Sequence, residues 1–290
     1  MKFKGVIPAL FTPLDKNEEL NVATLEKYVE YLIGQGADGF YIGGASGEGI
    51  VLPKEVRMKL AEKAVEFTNK RVPTVIHIGS AVFKDAVELA KHAEKIGADA
   101  ISSVPPIYFK YNQDSIYEYY EKLASCTDLP LMIYNTPAAG YLLDGEFAAK
   151  LCGIKNVTAI KWTSPQYFEL IKMRDLLGGD INVLNGPDET MLLGLSSGAD
   201  GAIGVSYSAA LPTARGVYDS FIKGDMKTAL EYQTKLTRLL PLYRKYPSIA
   251  VNKAVLESRG FDFGDAVFPQ RRLTFDEKKE IVEAYENALK

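Results

Sequence analysis

Thr74-Val75-Ile76-His77-Ile78 is a β-prone run, Ala86, Leu89, Ala90 and Ala93 follow it at helical spacing, and Ala100-Ile101-Ser102-Ser103-Val104 is a second β-prone run. Apolar residues recurring every three to four positions mark an amphipathic helix, and short runs rich in Val and Ile mark buried strands. Residues 74–104 therefore read as strand, helix, strand. A helical crossover of about a dozen residues is what parallel pairing of two strands requires. Gly97-Ala98-Asp99 stands at the joint between helix and second strand, and its glycine suits the left-handed position that ends a helix.

The same joint recurs as Gly36-Ala37-Asp38 and Gly198-Ala199-Asp200, and the same unit extends both ways. Upstream, Val6–Phe11 reads as a strand, Leu25, Tyr28, Val29 and Leu32 as a helix, Asp38–Gly43 as a strand, and the segment from Pro53 through Val56, Leu60, Ala64 and Phe67 as a helix. Downstream come a helix with Ile116, Tyr119, Tyr120 and Leu123, a strand at Pro130–Tyr134, a short helix around Phe147–Leu151 and a strand at Val157–Thr163. Ser164 with Pro165 suits a cap and first residue for the next helix. Asn182–Asn185 is a strand, a helix starts from Pro187, Ala202–Ser206 is the last strand, and a helix near Thr213–Ile222 follows. Eight such strands alternating with helices predict a (β/α)8 TIM barrel over residues 1–224. An open doubly wound sheet is the alternative, but it carries a nucleotide loop after its first strand, and Phe11-Thr12-Pro13-Leu14-Asp15 is not one.

Beyond Gly224 the strands stop. Ala229, Leu230, Gln233, Leu236, Leu240 and Tyr243 lie along one helix, a second runs from Pro247-Ser248 to Gly260, and Thr274-Phe275-Asp276-Glu277 is a capping box opening a third. Residues 225–290 are expected to be a three-helix C-terminal extension packed on the barrel, since no linker separates the two.

Composition narrows the class. The chain has 290 residues, 47% hydrophobic and 24% charged, as in a soluble globular protein. A formal net charge of −3 gives no reason to expect nucleic acid or an acidic membrane as a partner. Cys126 and Cys152 have no metal or redox spacing, which suits a reduced cytoplasmic setting. The N-terminus lacks a signal-peptide pattern and no apolar run is long enough to span a bilayer. No metal is expected, because His77 and His92 lie apart without ligand spacing. His92 shares a polar helix face with Asp85 and Glu88, and His77 reads as a satisfied core residue.

A barrel places its chemistry at the C-terminal ends of its strands. Those ends carry Ser46, Gly47 and Glu48; Tyr108; Tyr134-Asn135-Thr136-Pro137; Lys161 and Thr163; Gly186-Pro187-Asp188-Glu189; and Ser206. In Val157–Thr163, alternation puts Val157, Ala159, Lys161 and Thr163 on one face and Thr158, Ile160 and Trp162 on the other. With both faces apolar, Lys161 either reaches water from an edge strand or is a buried amine. A buried lysine loses affinity for its proton, and its neutral amine is a Schiff-base nucleophile. The other residues carry similar alternatives. Glu48 reads as bracing its loop. Asp188 and Glu189 serve either the dipole of their helix or substrate hydroxyls. Tyr108-Phe109-Lys110-Tyr111 suits interface packing.

Gly44-Ala45-Ser46-Gly47-Glu48, Tyr134-Asn135-Thr136-Pro137 and Ile160-Lys161-Trp162-Thr163-Ser164 together resemble the motifs of the pyruvate-dependent class I aldolases typified by dihydrodipicolinate synthase and N-acetylneuraminate lyase. The resemblance covers essentially the whole chain, C-terminal helices included. It implies that Lys161 forms a covalent imine with pyruvate or a 2-keto acid without further cofactor. It implies that Tyr134 relays protons, and that the Ser46 hydroxyl and the N–H groups of residues 45 and 46 hold the carboxylate. Tyr108 resembles the tyrosine that family dimers lend to a neighbouring subunit, so a homodimer or homotetramer is expected. The synthase branch has an arginine where Ala139 stands, and an apolar residue cannot replace a bidentate cation. The lyase branch resembles this chain at Thr163, Gly186, Asp188 and Glu189, where a sialic acid's polyol would be contacted. Two positions depart from it: Ala45 replaces a usual hydroxyl, and Val205, before Ser206, replaces a serine. The expected activity is cleavage of N-acetylneuraminate or another 2-keto-3-deoxy sugar acid. A non-catalytic barrel binding a small acid is the alternative from another class.

Overall fold

In the computed structural model, which describes residues 2–290, the three Gly-Ala-Asp fragments act identically. Gly36, Gly97 and Gly198 adopt φ of +87°, +76° and +98°. The alanine after each donates its N–H five residues back, Ala37 to Leu32 (3.1 Å), Ala98 to Ala93 (3.0 Å) and Ala199 to Gly194 (3.0 Å), which satisfies otherwise orphaned helix carbonyls. The aspartate then does something the sequence did not announce. Asp38 Oδ2 accepts from Val6 N–H (2.8 Å), Asp99 Oδ2 from Thr74 N–H (2.8 Å) and Asp200 Oδ2 from Val183 N–H (2.9 Å). Each carboxylate pairs an N–H at the start of a neighbouring strand, at the barrel end away from the chemistry.

The strands are β1 (Gly5–Pro8), β2 (Phe40–Ile42), β3 (Thr74–His77), β4 (Ala100–Ser103), β5 (Leu131–Asn135), β6 (Val157–Trp162), β7 (Asn182–Asn185) and β8 (Gly201–Gly204). All pair in parallel, each with its sequence neighbour from β2 to β8. The sheet closes because β1 pairs with β8, from Gly5↔Gly201 to Pro8↔Gly204, and meets β2 at the single bridge Ala9↔Tyr41. Helices α1 (Val22–Gly34), α2 (Lys54–Thr68), α3 (Phe83–Lys95), α4 (Gln113–Ala124), α5 (Gly145–Cys152), α6 (Tyr167–Leu176), α7 (Met191–Ser196) and α8 (Tyr207–Ile222) follow the strands in turn. This is the (β/α)8 barrel that the alternating pattern predicts.

Two apolar layers follow from strand alternation. Ile7, Tyr41, Val75, Met132, Tyr134, Ala159, Leu184 and Ile203 fill the barrel interior. Val6, Ile42, Ile76, Ile133, Ile160 and Trp162 face outward into the layer shared with the helices. In β6 only Thr158 is exposed, so Lys161 does sit on a strand buried on both faces.

Three local expectations need correction. The extension holds four helices, α9 (Met226–Thr237), α10 (Leu240–Lys245), α11 (Ser248–Ser258) and α12 (Phe275–Leu289), because the expected first helix breaks at residues 238–239. Pro241 has no N–H to give to Thr237, so the ladder cannot run through. Helix α8 starts at Tyr207 rather than near Thr213, with a kink at Ala210 (φ −126°, ψ 35°) two residues before Pro212. Ser164 caps nothing helical: its Oγ accepts from Gln166 N–H (3.2 Å), and α6 opens only at Tyr167. The capping box at Thr274 and Glu277 forms as expected. No helix among the described residues is long and apolar enough to cross a membrane.

Candidate active site

Register brings the reactive side chains together. Lys161 pairs with Tyr134 across β5 and β6, so two inward side chains lie abreast near the strand ends. Lys161 is only 6% exposed, and its Nζ lies 4.2 Å from the centre of the Tyr134 ring and 4.5 Å from that of Tyr41. Ring faces are electron-rich and hold a cation where water is scarce. Tyr41 is itself held by Ser102, whose Oγ lies 3.0 Å from its hydroxyl. The sequence reading missed Tyr41, although alternation in Phe40-Tyr41-Ile42 opposes it to two outward residues.

Beneath them lies His77, fully buried, with no hydrogen-bond partner for either ring nitrogen among the described residues. It is not the satisfied core histidine expected from sequence. Its ring packs edge-on with Tyr134 and tilted against Tyr41, with centroids 6.1 Å away in each case. Arg57 Nη2 donates to its carbonyl (3.0 Å). Burial first, then the charges of Arg57 and Lys161, push the imidazole down to about 3, so it is neutral at physiological pH.

The cavity above Lys161 has a volume of about 460 Å³. Ala45 and Ser46 supply one wall. Their loop is a tight turn in which Glu48 N–H donates to Ala45 O (3.0 Å) and Gly49 N–H to Gly44 O (3.1 Å), leaving the Ala45 and Ser46 N–H groups outside the loop's own bonds. A Cβ at Gly49 would overlap the Gly43 carbonyl. Thr163, Gly186, Asp188, Glu189 and Val205 line the opposite side. Gly186 is required there, since a Cβ would overlap Thr163 Oγ1. That hydroxyl has no partner among the described residues.

Two of the expected contact residues are occupied elsewhere. Asp188 Oδ1 accepts from Val205 N–H (3.1 Å) and Oδ2 from Ser206 N–H (2.6 Å). The carboxylate is buried, which raises it to about 6 against those hydrogen bonds. It therefore braces the turn after β8, and Ser206 is fully buried and does not line the cavity. Glu189 keeps an exposed side chain at the cavity rim. Tyr108 lies outside this cavity, 90% exposed and at φ +82°, stacked edge-on with Phe109. Glu48 braces its loop as expected, but its partners come from the C-terminal extension. Leu236, Leu240, Tyr243, Ser248 and Ile249 of that extension also line the cavity, which no local pattern signals. Among the described residues no group of three or more His, Cys, Asp or Glu is placed to hold a metal ion.

The model of the dihydrodipicolinate synthetase family matches residues 2–288. The chain belongs to this family. Its relatives there divide between two activities. A 4-hydroxy-tetrahydrodipicolinate synthase of Bartonella bacilliformis is 35% identical over 97% of this chain and 96% of its own length. An N-acetylneuraminate lyase of Rhizobium meliloti is 30% identical over 94% of this chain and 91% of its own. The solved N-acetylneuraminate lyase of Proteus mirabilis superposes with a TM-score of 0.94 at 28% identity, covering 99% of both chains. Family members are lyases or aldolases, and this chain is an aldolase of the same family.

Proposed function

We propose that the protein cleaves a 2-keto-3-deoxy sugar acid, with N-acetylneuraminate the first candidate, into pyruvate and an aldehyde sugar. The observation that carries this reading is the charge of the cavity: among the described residues Lys161 is its only cation, while Asp188 and Glu189 are carboxylates. Imine formation consumes that cation's amine, so nothing remains to bind a second carboxylate in the substrate tail. Ala139, where the synthase branch has its arginine, is buried in the short turn Pro137–Ala139 and is only 6% exposed. A hydroxylated tail instead finds the Thr163 hydroxyl and the Glu189 carboxylate. Val205, Leu236, Leu240 and Ile249 supply apolar wall for its less polar parts.

The chemistry runs through Lys161. Its amine, having given up a proton, adds to the keto carbon; the carbinolamine hydroxyl takes that proton back and leaves as water, giving a protonated imine. The hydroxyl at C4 of the substrate then gives up its proton as the C3–C4 bond breaks. The bonding pair flows into the imine to leave an enamine, and the aldehyde departs. Protonation at C3 and hydrolysis release pyruvate and restore the amine. In this reading Tyr134, whose ring centre is 4.2 Å from Nζ, carries the proton. The Ser46 hydroxyl and the two free loop N–H groups suit the carboxylate. No further cofactor enters this reading.

Pyruvate release from a panel of sugar acids, compared with condensation of aspartate semialdehyde, tests the assignment. Sites built to hydrogen-bond substrate hydroxyls reject analogues lacking them by factors on the order of 10⁴. We expect catalytic efficiency to favour a sugar acid, and faster turnover of aspartate semialdehyde than of every sugar acid would overturn the assignment. Glu189→Gln is expected to lower sugar-acid turnover about tenfold or more, with pyruvate trapping on Lys161 unchanged.

The exposed Tyr108 and Phe109 support a second proposal, that the protein assembles at least as a homodimer and possesses isologous contacts through this stretch. Two large aromatic side chains, 90% and 67% exposed, form an apolar patch of the kind that marks interfaces. Light scattering at micromolar concentration should give a dimer or tetramer, and Tyr108→Ala/Phe109→Ala should shift it toward monomer; a monomeric native chain would refute the proposal.

A further inference from the structure

Glu48 and Lys253 form a buried ion pair, with Nζ 2.8 Å from Oε1 and side chains 0% and 4% exposed. Lys253 belongs to α11 in the C-terminal extension, whereas Glu48 belongs to the loop after β2 whose Ala45 and Ser46 wall the cavity. The pair is embedded in a wider clamp. Lys253 Nζ donates to Asp265 O (3.0 Å), and Glu48 Oε2 accepts from Val267 N–H (2.6 Å) and Gln270 Nε2 (3.1 Å). Burial pushes the Lys253 ammonium below its ordinary value, and the Glu48 carboxylate opposes that shift. Glu48 also sits at φ +58°, a left-handed conformation that a non-glycine residue holds only when its surroundings fix it.

A buried ion pair roughly breaks even against apolar residues of the same size, so stability alone gives little reason for it. What it does supply is position. Glu48 N–H closes the turn onto Ala45 O, so fixing the Glu48 side chain fixes where the Ala45 and Ser46 N–H groups point. We infer that Glu48 and Lys253 are positioning residues through which the C-terminal extension sets the carboxylate-holding loop for the 2-keto acid. The inference rests on the imine reading of Lys161 and extends it to residues that touch no substrate. It also gives the extension a role in holding the carboxylate, beside the apolar wall it supplies for the substrate tail.

The test is borohydride trapping of pyruvate on the full-length protein, titrated in pyruvate, for the native chain, Lys253→Met, Lys253→Arg and Glu48→Gln. In Lys253→Met the pyruvate concentration for half-maximal trapping should rise about 10- to 100-fold, the scale on which ångström misplacement acts. The trapping rate at saturating pyruvate should stay within about twofold, because Lys161 and its ring neighbours are untouched. Lys253→Arg keeps the cation and should recover much of the affinity. General structural damage would lower the saturated rate as well and would not respond to arginine. Should Lys253→Met fail to fold, Glu48→Gln/Lys253→Met, which leaves no buried charge unpaired, carries the same titration. Native half-saturation in the folded variants would overturn this inference alone. Absence of trapping in the native chain would overturn the imine reading and this inference with it.

Discussion

Lys161→Met should abolish borohydride trapping of pyruvate and reduce sugar-acid turnover on the order of 10⁴-fold or more, the scale on which deleting a covalent nucleophile acts. The thermal midpoint should not fall with it. Lys161 is buried between the Tyr41 and Tyr134 rings, and its charge is desolvated there. Methionine fills similar volume with a polarizable sulfur that also suits ring contacts, and it needs no solvation. An enzyme that gives up stability to hold a reactive group commonly regains it when that group is removed. Peptide mapping of the native adduct supplies the direct check. An adduct on another lysine, or turnover near the native rate in Lys161→Met, would defeat the mechanism.

Acid stability should turn on two buried groups of opposite sense. His77 titrates near 3 in the folded chain and near 6.5 unfolded. Between those values the unfolded chain binds a proton that the folded chain refuses, so stability falls as pH drops, by up to about 5 kcal/mol. Asp188 is raised to about 6 from its ordinary 3.8. Between those values the folded chain binds the extra proton, so this group adds stability as pH drops, by up to about 3 kcal/mol. In the native chain the two largely cancel between pH 6 and 4. His77→Leu should therefore shrink the loss of thermal midpoint between pH 7 and pH 4.5 relative to native, and Asp188→Asn should enlarge it. Shifts of the same sign in both variants would contradict this account.

Much of the fold was legible because its signals are local. The three Gly-Ala-Asp joints mark helix ends by backbone conformation alone, and strand alternation placed Lys161 and Tyr134 inside the barrel. The same alternation applied to Phe40-Tyr41-Ile42 identifies Tyr41, so that residue was readable and overlooked. Other features depend on distances that no local pattern encodes. Asp188 looks like a free acceptor at a helix start until β8 brings the Val205 and Ser206 N–H groups to it. Leu236, Leu240 and Ile249 read as ordinary apolar residues of separate helices until the extension folds across the barrel mouth. That neither ring nitrogen of His77 has a partner among the described residues is likewise a property of its neighbours, since a buried histidine usually finds partners.

The closing seam of the barrel bears on how the chain is made. Strand β1 finds its ladder in β8, Gly5 against Gly201, where a Cβ at Gly201 would overlap the Gly5 carbonyl. Its link to β2 is the single bridge Ala9↔Tyr41. At ribosomal rates of about 5–20 residues per second, roughly 10–40 s separate the synthesis of those two glycines. For that time the first strand has no ladder partner, and the growing sheet keeps an open edge at each newly made strand. Such edges are templates for pairing with other chains. The last barrel strand thus ends a window of vulnerability during translation, and a nascent chain arrested before residue 201 is left with its first strand unpaired.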